Sequence, residues 1–559
     1  MNNTFFILLA NFFFTSFSFA QDNETPNYHS PLGIPHVLAS NFGELRPNHF
    51  HMGIDFKTNA RIGYNLYAIE DGFVSRIKVS PYGYGKAIYI DHPNGVTSVY
   101  AHCSEFKGQL DSIVRHTQHN NQDFEVEIFP KKNEIQIEKG QIIAISGNTG
   151  GSTAPHLHFE LRDTKTEAAL NPLVYGFDIA DTRKPEIRGV KIYSLTKDGY
   201  RFNKSIKRNA IKTGNSYTVK NNAINIPANY LTESGGIGFA FDVIDRLDAA
   251  NNTCGLYGSY LLINGDTLFG QEINRVPFQS TRFVNSHKDY DEYASNRKKF
   301  HKSFRTTEND LPIYTVENLG ILKAKPGDQL KVNYIAYDAQ GNTSVLTFTL
   351  AINNGPISST DAIVTDLSYL QPSESMRVEQ NKTYVEFGAC TTYEPLSINE
   401  KYIDSKIGEP NIPVQNAYRI SIPHDGLKDG KHYLEMTTAK GRKRALNIYY
   451  EDSLITCEST YFGTYKIKRD TIPPTIKALN IGKSTTQKKM SWEIVDKEAG
   501  LKEYDLFING EWCLVEYEYK TDQVTFTRRP NLIGAMELEL IVIDNCGNST
   551  EWKKTVDFK

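Results

Sequence analysis

From Pro155 to Arg162 the chain alternates in parity, with His156 and His158 on one side and Leu157, Phe159 and Leu161 on the other. Side chains two apart on a strand share a face. The segment therefore reads as a strand that buries three apolar side chains and aims two imidazoles into one space. The sequence around it has the same grain. Asn65–Ile69, Gly72–Val79, Lys86–Asp91, Thr97–His102, Glu125–Phe129, Gln141–Ser146 and Leu157–Arg162 are short, β-branched or aromatic, and separated by glycines at 83, 85, 95, 140, 147, 150 and 151. Helical periodicity is nearly absent. Residues 36–175 are expected to form a compact, mainly antiparallel β domain.

The chain has 559 residues, enough for three to four domains at roughly 150 residues each. Its formal net charge of −3 argues against a protein that coats nucleic acid. Aromatic residues make up 12%, more than a disordered chain holds. Phe5–Ala20 is apolar, ends in Ser18-Phe19-Ala20 and is followed by polar residues. Residues 1–20 are expected to be a secretory signal and 21–35 a linker, although no Lys or Arg precedes the apolar run; an uncleaved anchor is the alternative. An exported protein, periplasmic or at the cell surface, is expected.

Beyond residue 175 a phrase recurs. Asp181-Thr182-Arg183-Lys184-Pro185-Glu186-Ile187 is echoed by Asp470-Thr471-Ile472-Pro473-Pro474-Thr475-Ile476, and Ile335–Asn342 by Ile541–Asn548. In the second pair an apolar strand runs into Asp, a Gly-Asn turn and another strand, a hairpin signal. The expected architecture is mainly β throughout, with immunoglobulin-like β-sandwich modules at 176–353 and 469–559 and a further β-rich module at 354–468. The first module holds a polar insertion, Asp289–Ser303, with room for a short helix.

Ten of the fourteen histidines precede residue 175, so chemistry is expected there. Four pieces stand out: His51-Met52-Gly53-Ile54-Asp55, Tyr100-Ala101-His102, Pro155–Glu160, and the glycine-rich lead-in Ser146–Ser152. Zn²⁺ accepts imidazole and carboxylate ligands, and a catalytic site uses three of them with one position open. Two histidines and one aspartate from these pieces supply such a set and leave further histidines beside it. His49 is a rival to His51, because His49-Phe50-His51 is itself a period-two pair. His116 and His119 fall in the polar insertion Cys103–Asn133 and read as solvated surface. Cys103 reads as core, since adjacent strand residues face opposite ways. The pairings Cys513–Cys546 and Cys390–Cys457 both remain open.

Taken in order, Leu45–Phe56, Tyr82–Lys86, Tyr89–Gly95, Tyr100–His102, Lys139–Ala144, Gly147–Gly150 and Pro155–Phe159 resemble the lysostaphin/LytM-type zinc metallopeptidases, which cut peptide cross-bridges of bacterial peptidoglycan. The resemblance covers about a quarter of the chain, residues 36–175. It implies His51, Asp55 and His158 as Zn²⁺ ligands, His102 and His156 as catalytic histidines outside the metal's ligand set, and peptidoglycan stem peptides as substrate. It leaves open which histidine is the general base. D-Ala–diamino acid cross-links are the expected target, with glycine bridges the alternative. Two other classes stand beside the hydrolase: a non-catalytic module that activates other wall enzymes, and a surface adhesin carrying a peptidase domain. All five positions are filled, which favours the enzyme. The later modules have three open roles: holding the peptidase near the wall, binding a partner, or covering the cleft.

Overall fold

A computed structural model describes residues 27–177, 179–358, 369–398, 406–409, 412–424, 426, 428–438 and 441–559. The expected signal at 1–20 lies outside the described residues. Among those described, no helix is long and apolar enough to cross a membrane. The protein is mainly β, as expected.

The N-terminal unit is built from β1 (Leu38–Ser40), β2 (Ile54–Lys57), β3 (Asn65–Tyr67), β4 (Gly72–Val79), β5 (Lys86–Asp91), β6 (Val96–Cys103), β7 (Glu105–Phe106), α1 (Gln109–Asn121), β8 (Val126–Ile128), β9 (Gln136–Ile137), β10 (Ile142–Ile145), β11 (His156–Asp163) and β12 (Ala169–Leu170). The main sheet runs β1-β2-β11-β6-β5-β4-β8, and β3-β10-β7 form a second, smaller sheet. Every pairing named here is antiparallel. Strand β11 is central, between β2 and β6, and its Leu157, Phe159 and Leu161 are fully buried. Cys103 is buried as well, and that burial pushes its thiol up to about 12, so it stays protonated and inert.

Helix α1 falls in the polar insertion Cys103–Asn133, where helical periodicity is nearly absent from the sequence. Leu110, Val114 and Gln118 recur every four residues and are its buried positions. A polar glutamine in that stripe hides the helical period from the sequence. The glutamine is satisfied because its amide donates to the Phe124 carbonyl at 2.8 Å. His116 is exposed on this helix, while His119 meets the Trp512 ring edge-on from the far end of the chain.

The core of the N-terminal unit does not stop at residue 175. Leu247, Ile273, Val276, Val284, Leu311 and Ile313 join the same apolar cluster, and β12 pairs with the strand Arg275–Val276. Beyond it, a four-stranded sheet that includes Glu186–Leu195 and Gly236–Ile244 packs on a seven-stranded sheet that includes Gln329–Tyr337 and Thr343–Ile352, over one shared core. The insertion forms the helix Tyr290–Asn296, whose start is capped by Asp289 accepting from the Glu292 amide. The two expected hairpins pair as Gln329–Tyr337 with Thr343–Ile352, and Gly534–Asp544 with Ser549–Phe558. All six cysteines are free.

His287 and His301 meet where these two cores adjoin, Nε2 to Nδ1 at 3.1 Å, and both are fully buried. Burial, the partner imidazole and the Lys302 and Lys288 charges hold His287 well below its ordinary range. Burial and Lys299 bring His301 down to about 3. The unfolded chain takes up these protons below about pH 6.5 and the folded chain does not, so stability is lost as pH falls. Each histidine is expected to cost an amount that rises toward about 1.4 kcal/mol per pH unit as pH falls from 6.5 to 5. The melting temperature should therefore drop across that window, and drop less steeply in the double variant His287→Gln/His301→Gln; parallel curves would refute the assignment.

Candidate metal centre

Strand register assembles the site. Along the β2–β11 ladder His158 lies directly opposite Asp55, and along β11–β6 it lies opposite Ala101, the neighbour of His102. His51 enters from the loop before β2. Gly53, between His51 and Asp55, is needed because a Cβ there would come within 2.3 Å of the Phe159 carbonyl oxygen. Any side chain at 53 would push β2 away from β11 and part Asp55 from His158.

The result is a triangle. His51 Nε2 is 3.1 Å from Asp55 Oδ1 and 3.1 Å from His158 Nδ1, and His158 Nδ1 is 2.8 Å from Asp55 Oδ1. Each histidine's other nitrogen is committed. His51 Nδ1 donates to the Asn41 carbonyl at 2.7 Å. His158 Nε2 donates to Glu160 Oε1 at 2.8 Å. A carbonyl or carboxylate oxygen can only accept, so these nitrogens hold the protons of the neutral rings. Two imidazole lone pairs and a carboxylate oxygen are therefore pointed at one another at hydrogen-bond distance. Such a cluster needs a positive charge at its centre, and two histidines with one carboxylate match a zinc donor set. The same field acts on protons: although burial opposes it, the Asp55 and Glu160 carboxylates raise His158 to about 9. Arg46 sits 3.6 Å from Asp55 Oδ2, on the other side of the carboxylate from the histidines.

Glu160 was not singled out from the sequence, although it shares the parity of His156 and His158. It is fully buried and bonded to the Tyr84 hydroxyl, and Oε2 accepts from Arg162 Nε at 2.7 Å. Burial would raise its carboxyl, but the Arg162 charge and the His158 contact outweigh that and bring it down to about 2. An ionised Glu160 fixes the ring orientation and tautomer of His158.

His102 and His156 flank the triangle, with ring centroids 4.8 Å apart. His102 Nδ1 donates to the Thr149 carbonyl at 2.8 Å and His156 Nδ1 to the Ala154 carbonyl at 2.9 Å, so each keeps an unprotonated Nε2. His156 Nε2 lies 3.4 Å from Asp55 Oδ1. Burial, with the neighbouring His158 imidazole opposing a second positive charge, lowers His102 to about 3. Its φ of 61° places it in the left-handed region, a costly conformation for a non-glycine residue. The glycine loop that receives its Nδ1 proton is tight. Gly150, at φ +70°, has the Gly85 amide nitrogen 2.3 Å from where a Cβ would stand. His49 and His116 are not part of the converging set.

The sequence model of peptidase family M23 matches residues 49–121 and 119–172. These residues belong to that family. The DD-carboxypeptidase/endopeptidase Mpg of Neisseria meningitidis is 36% identical over 112 residues, 20% of each chain. The glycyl-glycine endopeptidase ALE-1 of Staphylococcus capitis is 32% identical over 136 residues, 24% of this chain and 29% of its own. The chain thus spans about a fifth to under a third of these relatives. Among solved structures, the catalytic domain of lysostaphin from Staphylococcus simulans aligns with 26% identity over 25% of this chain and 90% of its own, at a TM-score of 0.19.

Two substitutions test the centre. His158→Ala should abolish stoichiometric zinc, measured by elemental analysis of the purified protein. Glu160→Gln keeps the three donors but loosens the ring, and should weaken zinc affinity about 10–100-fold in chelator competition.

Proposed function

We propose that the chain is a zinc-dependent endopeptidase that hydrolyses peptide cross-links of bacterial peptidoglycan outside the cytoplasm. The observation behind this reading is the convergence of His51, Asp55 and His158 at 2.8–3.1 Å, with both remaining imidazole nitrogens held by protein acceptors. The family of residues 49–172 and the peptidase names of its relatives support it.

His51, Asp55 and His158 would hold the ion. When bound, zinc supplies Lewis acidity to an attacking water and to the scissile carbonyl. The rest falls to the chain's own groups. His102 and His156 each present an unprotonated Nε2 on the same side of the site. One of them accepts the proton of the attacking water at Nε2 and, as the C–N bond breaks, returns that proton to the departing amine. Their Nδ1 hydrogen bonds to Thr149 and Ala154 hold the tautomers that this work requires. Depressed basicity keeps His102 unprotonated at neutral pH. Bonds between D-Ala and a diamino acid are the proposed target.

Purified peptidoglycan sacculi and mass spectrometry of the released muropeptides test the reading directly. His102→Ala should retain zinc while hydrolysis falls by roughly 10²–10⁴. A wild-type protein that binds zinc but releases no new amine termini would refute the hydrolase and leave a binding module.

A further inference from the structure

A second cluster of converging donors lies outside the peptidase unit, at the entrance of the two-sheet unit that follows it. Asp181 lies in the segment leading to the strand Glu186–Leu195. Asp245 directly follows Gly236–Ile244, and Asp338 opens the turn of the hairpin Gln329–Ile352. One carboxylate oxygen from each falls within 4.8 Å of the others. Crowding alone does not make a site, because carboxylates can be neutralised by local donors. Asp338 is partly engaged in that way: Oδ1 accepts from the Gln340 and Asn342 amides, while Oδ2 accepts from Asn342 Nδ2 at 2.8 Å and keeps a second lone pair.

Asp245 is different. It is 2% exposed, and its Oδ1 has no hydrogen-bond partner. Asp181 accepts from the Arg183 amide through Oδ1, but its buried Oδ2 has no partner either. Nearby, Arg183 directs Nη1 to the Ala250 carbonyl instead of to these oxygens. A buried carboxylate oxygen without a donor is costly unless a cation or a proton meets it.

The related phrases at 470–476 and 541–548 bring Asp470 and Asp544 together in the same way, with Asp496 beside them. There the carboxylates are engaged by backbone amides, Asp470 by Ile472 and Ala499, and Asp496 by Glu498 and Gly500. The orphaned oxygens at Asp181 and Asp245 therefore do not follow from the repeated motif itself.

We propose that Asp181, Asp245 and Asp338 bind one Ca²⁺ ion, which ties the segment leaving the peptidase unit to the two-sheet unit. An oxygen-only donor set selects a hard cation. Ca²⁺ accepts irregular protein oxygen cages, whereas Mg²⁺ demands octahedral geometry and keeps much of its water. Binding would fix the linker, where the Asn342 and Gln340 side chains already donate to the Asp181 and Ile179 carbonyls.

Hydrogen–deuterium exchange on the purified zinc-loaded chain tests this. Extracellular calcium modules bind at about 10⁻⁴–10⁻³ M, so 10 mM CaCl₂ should slow exchange in 179–186, 245–254 and 338–343 by about tenfold or more. The slowing should vanish in Asp245→Asn. If that variant exchanges faster throughout, Asp181→Asn, outside the core, replaces it and should lose the effect equally. No slowing in the wild type, or undiminished slowing in the variant, overturns the site. Equal slowing by MgCl₂ at the same ionic strength overturns the assignment to calcium.

Discussion

The pairing of β2 with β11 is the constraint on which the centre depends. Asp55 and His158 face each other across one rung of that ladder, and His102 is one residue from the rung on the other side. A slip of one residue would turn His158 into the core and Leu157 into the position that faces Asp55 and His51. The fully buried Leu157, Phe159 and Leu161 prevent that slip, so the hydrophobic face of β11 sets the geometry of its polar face. Packing and chemistry are here two faces of one strand.

That coupling also explains what the sequence discloses. Strand β11 is legible because both of its faces are unambiguous, and the ligand set follows once a family resemblance selects His51 over His49. Glu160 was available from the same period-two parity, but its importance depends on Tyr84 and Arg162 closing around it, and Tyr84 arrives from a different part of the chain. Helix α1 escaped because a buried Gln118 interrupts its apolar stripe. Local pattern reports which way a side chain faces. It does not report which distant partner will satisfy a polar one.

The layout beyond the peptidase unit shows a similar limit. Glycine turns and recurrent phrases mark hairpins well, since hairpins are local. The contribution of Leu247, Ile273, Val276 and Leu311 to the N-terminal core is not local, and nothing in their neighbourhood announces it. The unit containing the candidate metal centre and the one after it are consequently welded by shared apolar contacts, with the buried His287–His301 pair close to the seam.

The far end of the chain reaches back as well. Lys520 Nζ donates to the carbonyls of Asn148, Gly150 and Ser152, the loop that hands over to His156 and holds the His102 ring through Thr149. Lys520 stands 368 residues beyond Ser152 in the chain. During synthesis this clasp is missing until residue 520 has been made, so a nascent polypeptide has His51, Asp55 and His158 long before it has the finished loop beside them.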